Sequence, residues 1–372
     1  MGPDGASFPA VSPRLFDALR PRYVGLKFDN SPPVLKDRLM SASFSRFRVP
    51  PAVSPFLAAV IAFVTLVAIR PAAAQEATAT PKSKSPAAAA PTSDEEIREI
   101  PEPEEVTCPT TDGVQIVATF YPGTLKKESV PVICIHDYKR DRGDFTGLAE
   151  YLQKMGHAVI VPDLRGHGQS TRLGDGETLD VASLRPPDFK AMVRYDIEAV
   201  KSFLMEENNR GELNINKLCV VGAEMGSVIA VNWAMLDWSW PPLTIGKQGQ
   251  DVKALVLISP MWSFRGMNST TAMNSDPIRR DLSFLIVVGK GSSKHLAEAN
   301  RFHKSLERSH PMPAPEDRKT KQDLFLAPLS TKLQGAKLLG ENLDLEQLIG
   351  VFIERRLSQQ TFAWSERRDP QK

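Results

Sequence analysis

Short apolar runs, bounded by glycine, proline and charged residues, recur along the chain from Val132 onward. Runs of roughly four to eight apolar residues predict buried strands. Six such strands are predicted, at 132–136, 157–162, 218–221, 254–259, 284–288 and 323–326. The segments between them have apolar residues at helical spacing, with helices predicted to start near Asp144, Asp188 and Leu345. Strands that alternate with helices predict an α/β fold with a mainly parallel sheet and helices on both faces.

The first predicted helix has both a start and a stop signal. Asp144 is placed to cap it, Phe145, Leu148 and Leu152 lie on one side, and Gly156 is placed to end it. A helix with one apolar side packs that side against the sheet. We therefore expect this helix to cover one face of the sheet.

Residues 56–69 form an uncharged apolar segment of 14 residues. It follows Arg46 and Arg48 and precedes the small residues 72–74, a layout that predicts a secretory signal peptide and its cleavage site. A membrane-spanning helix needs roughly 20 apolar residues, more than this segment has. We predict export to the periplasm or the extracellular space, without a stable membrane span after cleavage. The alternative is an uncleaved N-terminal helix that anchors the protein.

The chain divides into five predicted segments. Residues 1–39 show no helical periodicity and precede Met40, so we predict a disordered extension or a segment outside the translated protein, with Met40 as the start of translation. Residues 40–74 are the predicted signal peptide, and residues 75–103, rich in Ala, Pro, Thr, Ser and Glu, are a predicted disordered linker. Residues 104–358 form the predicted folded domain, and residues 359–372 a C-terminal tail.

The distribution of charge argues against a nucleic-acid partner. The net charge is +2, but residues 1–74 contain nine Lys/Arg and four Asp, which leaves 37 basic and 40 acidic residues for the rest of the chain. A balance of this kind does not predict nucleic-acid binding. The three cysteines are too few for a disulfide framework.

Residues 218–231 combine an apolar strand, a turn bracketed by Gly222 and Gly226, and an apolar helix. This is the layout of a nucleophile elbow, a strained turn that exposes a catalytic hydroxyl above a parallel sheet. The residue at the tip is Glu224 instead of serine. Because the two glycines allow close packing around the tip, we predict a left-handed or otherwise strained backbone at Glu224.

Two further motifs accompany the elbow. The strand 132–136 is followed by Asp137-Tyr138, and the strand 157–162 by Asp-Leu-Arg-Gly-His-Gly-Gln-Ser at 163–170. In order and spacing, the three motifs resemble the α/β-hydrolase family over roughly residues 104–358. The resemblance implies the family's fold, a mainly parallel central sheet with helices on both faces. It also implies that Cys134 and Cys219 lie on neighbouring buried strands, where we expect free thiols.

The resemblance assigns three positions to a catalytic triad. Glu224 has the position of the nucleophile, Ser292 that of the acid after the seventh strand, and Gln334 that of the histidine after the last strand. None of the six histidines, at 136, 157, 167, 295, 303 and 310, follows the predicted last strand. We therefore predict that serine-type chemistry is lost, and that Glu224→Ser alone does not restore it, because the serine would have no base.

The resemblance places an oxyanion hole at the backbone amides of Asp137, Tyr138 and Met225. Two roles are open for Glu224 beside it. Its carboxylate could form an ester intermediate, as aspartate does at the elbow of some relatives. It could instead be a charge at a helix N-terminus that accepts a hydrogen bond from the Met225 amide and fills the oxyanion hole.

Aromatic residues suggest a ligand pocket. Trp238 and Trp240 follow the elbow helix, and Trp262 follows the strand 254–259. Together with His136 we predict that they line an apolar pocket, while core packing and loop-orienting hydrogen bonds are the other interpretation. No spacing of His, Cys or carboxylates predicts a metal site, and no cofactor is predicted.

These features predict an exported α/β-hydrolase-fold protein that lacks serine-hydrolase activity and binds a small-molecule ligand or a protein partner. The alternative is a hydrolase of ester or amide bonds, an esterase or peptidase, whose catalytic residues are unconventional or displaced. The fold does not decide between them because function belongs to the site.

Overall fold

The structure, a computed structural model, describes residues 99–174, 176–241 and 247–367. The predicted N-terminal extension, the signal peptide and residues 75–98 of the predicted linker lie outside the described residues. Among the helices that are described, none combines the length and the apolar composition that a membrane crossing requires.

The described chain forms a central sheet of eight strands in the order β1-β2-β4-β3-β5-β6-β7-β8. β2 is antiparallel to β1 and to β4, and all other neighbours are parallel. The predicted fold class is confirmed. The strands are β1 (Glu104–Pro109), β2 (Gln115–Tyr121), β3 (Pro131–Ile135), β4 (Ala158–Pro162), β5 (Leu218–Ala223), β6 (Val252–Ile258), β7 (Ser283–Gly289) and β8 (Leu324–Leu329).

The parallel strands form where the sequence has continuous apolar runs. Every residue of β3, β4, β5 and β7 is buried. A strand covered on both faces needs apolar residues at successive positions, because successive side chains point to opposite faces. Each of the six predicted strands coincides with one of the strands β3 to β8.

Helices cover both faces of the sheet. The α-helices described are α1 (Thr146–Lys154), α2 (Pro186–Ala191), α3 (Ile197–Asn209), α4 (Met225–Ser239), α5 (Thr270–Asn274), α6 (Asp276–Arg280), α7 (Ser293–Leu306), α8 (Arg318–Lys321) and α9 (Leu345–Ile353). π-Helical turns at Met192–Asp196 and Glu354–Ser358 join α2 to α3 and extend α9. Short 3-10 helices occur at Lys126–Glu128, Arg142–Phe145, Val181–Ser183, Ile215–Lys217 and Gly335–Leu338.

Two hydrophobic cores lie on opposite faces of the sheet. One contains buried residues of α1 and α9, such as Leu148 and Ile349. The other contains buried residues of α3, α4 and α7, such as Leu204, Val231 and Phe302. The helices thus hold the sheet rigidly from both sides and leave its carboxyl edge, where the loops gather, to form a site. A small hairpin, Ser263–Phe264 paired with Met267–Asn268, follows β6 at that edge.

The predicted cap of the first helix is wrong. Asp141 accepts a hydrogen bond from the Gly143 amide and opens a 3-10 turn, and α1 begins only at Thr146. Asp144 instead forms an ion pair with Arg140. Aspartate caps the first turn that the chain makes, and the 3-10 turn precedes the helix proper.

The chain after residue 358 packs on the domain, although it was predicted to be a separate tail. The Asn214 side-chain amide donates to the Phe362 carbonyl at 2.8 Å. Arg367 is buried, and its guanidinium donates to both carboxylate oxygens of Asp251. The folded domain therefore extends to at least Arg367, because the Arg367 side chain is the partner of the buried Asp251 carboxylate.

All three cysteines are free thiols and all are buried. Cys134 lies on β3 and Cys219 on the neighbouring β5. Burial raises the pKa of the Cys134 thiol well above its ordinary value. The expected free, buried thiols are confirmed.

Candidate active site

Glu224 occupies the tip of the turn between β5 and α4. Its backbone has φ 47° and ψ −108°, a combination that residues with a side chain rarely adopt. A Cβ on Gly222 or on Gly226 would collide with main-chain atoms, in the second case with the Ile135 carbonyl, so only glycine fits on either side of the tip. The predicted elbow geometry is confirmed. It brings Glu224 to the carboxyl edge of the parallel strands, where open α/β sheets bind their ligands.

The carboxyl group of Glu224 lies close to that of Asp137, in the loop after β3. Burial and the neighbouring Asp137 carboxyl raise the pKa of Glu224 to about 8, and the charges of Lys337 and Lys294 act in the opposite direction. Two carboxyl groups this close do not both ionise readily, so one of them keeps a proton. With a pKa of about 8, Glu224 is the protonated partner at neutral pH.

Asp137 also binds the first amide of α4. Its Oδ1 accepts a hydrogen bond from the Met225 N–H at 3.0 Å. The prediction that the Glu224 carboxylate would accept from this amide is wrong. Helix N-termini favour acidic groups, and Asp137 is the acidic side chain that binds this one.

A histidine lies on the other side of Glu224. His295, in the first turn of α7, has its Nε2 3.8 Å from Glu224 Oε1. Its Nδ1 is 2.7 Å from the Ser292 hydroxyl, which also caps α7. Burial and the charge of Lys294 lower the pKa of His295, so the ring is neutral at pH 7. Ser292, at the predicted acid position, thus orients a histidine that reaches the elbow.

Sequence reasoning missed His295. The resemblance directed the search for a base to the segment after β8, whereas His295 comes before β8, on the helix after β7. A usable signal was present. Ser292 and His295 are three residues apart at a helix start, a spacing at which the two side chains can meet. That Glu224→Ser alone restores no activity stays a prediction, because a serine hydroxyl would lie at the position of the Glu224 Cγ, two bonds short of the Oε1 that His295 approaches.

Gln334, at the predicted base position, is hydrogen-bonded to residues at the ends of two strands. Its Oε1 accepts from the Ser259 hydroxyl at 2.8 Å, and its Nε2 donates to the Gly289 carbonyl at 2.8 Å. Both polar atoms of the amide are thus engaged between the ends of β6 and β7. The next residue, Gly335, contacts Glu224 so closely that a Cβ there would lie 3.1 Å from Glu224 Oε1. Gln334 therefore helps to shape the wall beside the carboxyl pair and supplies no base.

Comparison with known proteins agrees with this geometry. The family model described as serine aminopeptidase, S33, matches residues 127–290, a range that includes β3, the elbow and β7. The chain is an α/β-hydrolase-fold protein. A search of curated proteins found no match.

Solved structures of other α/β-hydrolase-fold proteins are similar at low identity. An esterase of Pyrococcus furiosus is 16% identical over 69% of this chain and 92% of its own, with a TM-score of 0.49. Dienelactone hydrolase from Anabaena variabilis is 16% identical over 70% of this chain and 100% of its own, with a TM-score of 0.48. An esterase from the archaeon Pyrobaculum calidifontis is 12% identical over 69% of this chain and 86% of its own, with a TM-score of 0.47.

Two of the predicted pocket residues, Trp238 and Trp240, lie away from the elbow of this α/β-hydrolase-fold protein, and a third, His136, is fully buried beside it. His136 is buried, its Nε2 accepts from the Leu164 amide at 3.0 Å, and burial and the neighbouring His167 lower its pKa to about 4. Trp238 donates to the carbonyl of Val252, the first residue of β6, at the sheet edge opposite the elbow. Trp240 follows the far end of α4. The pocket prediction is wrong for the two tryptophans because a 15-residue helix carries its last turn about 22 Å from its start. It is wrong for His136 because the ring is enclosed and hydrogen-bonded to the Leu164 amide.

Trp262 and Tyr138 lie at the elbow edge. Trp262 is buried, and its indole N–H donates to Thr270 Oγ1 at 3.0 Å. It supports the wall made by α7, where its ring packs against Phe302. Tyr138, next to Asp137, remains partly exposed, and its ring packs 5.4 Å from that of Phe264 in the hairpin. Tyr138, predicted only for its backbone amide, is therefore a partly exposed aromatic residue next to Asp137.

The Ser227 hydroxyl forms hydrogen bonds with two backbone groups at the elbow. Its hydroxyl donates to the Glu224 carbonyl at 2.5 Å and accepts from the Met261 amide at 3.2 Å. A hydroxyl held by both contacts is poorly placed to attack a substrate. Within the part of the chain that is described, no group of three His, Cys, Asp or Glu residues is arranged to hold a metal ion.

Proposed function

We propose that this α/β-hydrolase-fold protein hydrolyses ester or amide bonds with a pair of carboxyl groups in place of the serine. The observation that carries the proposal is the close approach of the Glu224 and Asp137 carboxyl groups at the tip of a strained elbow, where the pKa of Glu224 is raised to about 8. A carboxylic acid beside a carboxylate supplies both a general acid and a general base. The match to the serine aminopeptidase family supports acyl transfer to water as the reaction class.

In the proposed reaction, water attacks the acyl carbon. The Asp137 carboxylate takes a proton from the water as the new C–O bond forms. Glu224 donates its proton to the leaving oxygen or nitrogen as the bond to the acyl carbon breaks. The products are a carboxylic acid and an alcohol or amine, and the proton on Asp137 then returns to Glu224.

His295 supports the pair in this mechanism. When its Nδ1–H donates to the Ser292 hydroxyl, its Nε2 presents a lone pair toward Glu224, 3.8 Å away. The side chains of His295 and Glu224 are each 21% exposed, so solvent reaches both. His295 can therefore exchange protons between solvent and Glu224 and return the pair to its starting state.

The pH dependence of hydrolysis tests the proposed role of Glu224. The proposed reaction needs a proton on Glu224, and Glu224 holds it at pH values below its pKa of about 8. The titratable groups next to Glu224 are Asp137, His295, Lys294 and Lys337. Activity on p-nitrophenyl acetate and on an amino-acid p-nitroanilide is therefore expected to fall as pH rises through about 8. The Glu224→Gln variant serves as the blank at each pH. Activity that instead rises through pH 8 would indicate an ionised Glu224 acting as nucleophile, and would contradict the acid role.

A serine reagent distinguishes this proposal from ordinary serine catalysis. A fluorophosphonate is expected to leave the protein unlabelled while hydrolysis continues, because the elbow tip has no hydroxyl. Labelling that stops hydrolysis would identify a serine nucleophile and overturn the proposal.

A second candidate function is ligand binding without catalysis. It is favoured by Asp137 Oδ1, which occupies the Met225 amide that would otherwise stabilise an oxyanion. Absence of turnover on all ester and amide substrates, with a correctly folded protein, would leave this candidate as the better one.

We also propose that the protein is exported, on the basis of the sequence of residues 40–74. Cleavage of the signal peptide is expected to give a mature N-terminus near Gln75. N-terminal sequencing of the protein recovered from outside the cytoplasm measures this directly. A product that retains residues before Phe56 would favour the anchored alternative.

A further inference from the structure

Four cations from four different segments lie near the elbow, two of them close to Glu224 and two close to Tyr138. They are Lys139 in the loop after β3, Arg265 at the hairpin tip, Lys294 in the first turn of α7, and Lys337 in the 3-10 helix after β8. All four side chains are exposed. Among the described residues, none of the four has a carboxylate within ion-pair distance, unlike Arg140 or Arg142 in the same region. These four residues are called the cationic rim below.

Lys294 and Lys337 act directly on the reacting groups. The charges of both lower the pKa of Glu224, against the effect of burial and of Asp137. Lys294 also lowers the pKa of His295. Their places in the chain agree with this effect, since Lys294 precedes His295, whose Nε2 is 3.8 Å from Glu224 Oε1, and Lys337 is two residues after Gly335, which packs against Glu224.

Arg265 and Lys139 both lie near the ring of Tyr138, the residue after Asp137. The Arg265 guanidinium lies 4.4 Å from the centre of the Tyr138 ring, and Lys139 Nζ lies 5.5 Å from it. Arg265 also lies 5.6 Å from the ring of Phe189. Stacking on aromatic rings fixes a guanidinium while leaving its N–H edge available to a carboxylate or phosphate.

The cationic rim opposes the protonation that the carboxyl pair needs. Two acidic groups besides Glu224 affect pKa values here: Asp137 raises those of Glu224 and His295, and Glu298 raises that of His295. Glu298 also accepts a hydrogen bond from the Trp262 backbone amide. The charges of Lys294 and Lys337 therefore act against the proton on Glu224. An anion bound among them would neutralise their field and favour the proton on Glu224.

We propose that the substrate carries a negatively charged group, a carboxylate or a phosphate, beside the bond that is hydrolysed, and that the cationic rim binds this group. The inference rests on the proposed function for the identity of the reacting bond. The charge balance of residues 75–372 does not suit a nucleic acid, so we expect a small anionic acyl compound.

Calorimetry with non-reacting anions tests the rim separately from catalysis. Glutarate is the carboxylate probe, inorganic phosphate is the phosphate probe, and glutaramide is the neutral control. Glutarate or phosphate is expected to bind at low salt, with proton uptake near pH 8 that is measured by comparing Tris and Hepes buffers. Lys294→Gln and Lys337→Gln are each expected to weaken binding about threefold, and the double variant about tenfold. The matched control is Lys304→Gln, an exposed lysine farther along α7.

The inference would be overturned if the double variant bound each anion as tightly as the wild type does. It would also be overturned if glutaramide bound to the wild type as tightly as glutarate. The stronger of the two anions identifies the charged group.

Two esters then connect the rim to hydrolysis. p-Nitrophenyl hydrogen glutarate is expected to have a kcat/KM about tenfold above that of p-nitrophenyl butyrate at low salt, and the double variant should remove this preference. Equal hydrolysis of both esters overturns the inference while the proposed function stands. Anion binding without hydrolysis of either ester overturns the proposed function and leaves the anion site in place.

Discussion

Replacing Glu224 with glutamine is expected to lower kcat/KM for ester hydrolysis by about 100-fold or more. Glutamine has nearly the same shape, but its amide cannot donate a proton to the leaving group or share one with Asp137. Glu341→Gln, the same change at an exposed position, is the matched control and should retain full activity. Initial rates with p-nitrophenyl acetate at pH 6.5 measure the effect. Unchanged activity in the Glu224 variant would exclude the carboxyl pair as the acid and base.

The same variant has a stability signature that does not depend on activity. The folded protein holds the Glu224 proton more tightly than the unfolded chain, since the pKa rises from the ordinary value of 4.5 to about 8 on folding. The resulting stabilisation is fully present below about pH 4.5 and is lost as pH rises through about 8. The free energy of unfolding of the wild type should therefore fall relative to Glu224→Gln between pH 5 and pH 9, by about 1 to 3 kcal/mol. Parallel pH profiles of stability would contradict the shared proton.

Replacing Arg367 with methionine is expected to destabilise the domain by about 3 kcal/mol. The Arg367 side chain is fully buried against Asp251, which is also fully buried, and it donates to the Lys247 carbonyl at 2.8 Å. Without the guanidinium, Asp251 keeps only the ammonium groups of Lys201 and Lys247, each 3.1 Å away. Removing one partner of a buried ion pair leaves charge without full compensation, which costs more than the pair contributes.

Denaturant unfolding measures this change in stability. Arg308→Met, at an exposed arginine, is the control and should change the free energy of unfolding by less than about 0.5 kcal/mol. Removal of residues 367–372 should destabilise the domain about as much as Arg367→Met. A loss below about 1 kcal/mol in both variants would mean that the segment 359–367 contributes little to the folded domain.

The sequence by itself determined the sheet and the elbow. Continuous apolar runs predicted the strands β3 to β8, since a strand covered on both faces requires apolar residues throughout. Gly222 and Gly226 predicted the strained turn at Glu224, because the close approach of main chains there admits no Cβ. These features depend on local patterns, which residues near one another in the chain set together. Helix boundaries were less accurate, as Asp144 shows, because several aspartates near a helix start can cap different turns.

Only the tertiary structure decided which groups surround Glu224. Asp137 lies 87 positions away in the sequence and His295 lies 71 positions away, yet both side chains reach the same carboxyl group. Their meeting depends on the paths of two loops and on the tilt of α7, which leave no periodic trace in the sequence. The sequence therefore favoured a scaffold without a base. The docking of Arg367 was hidden for the same reason, because its partner Asp251 is 116 positions away and becomes a buried acceptor only when β6 packs into the sheet.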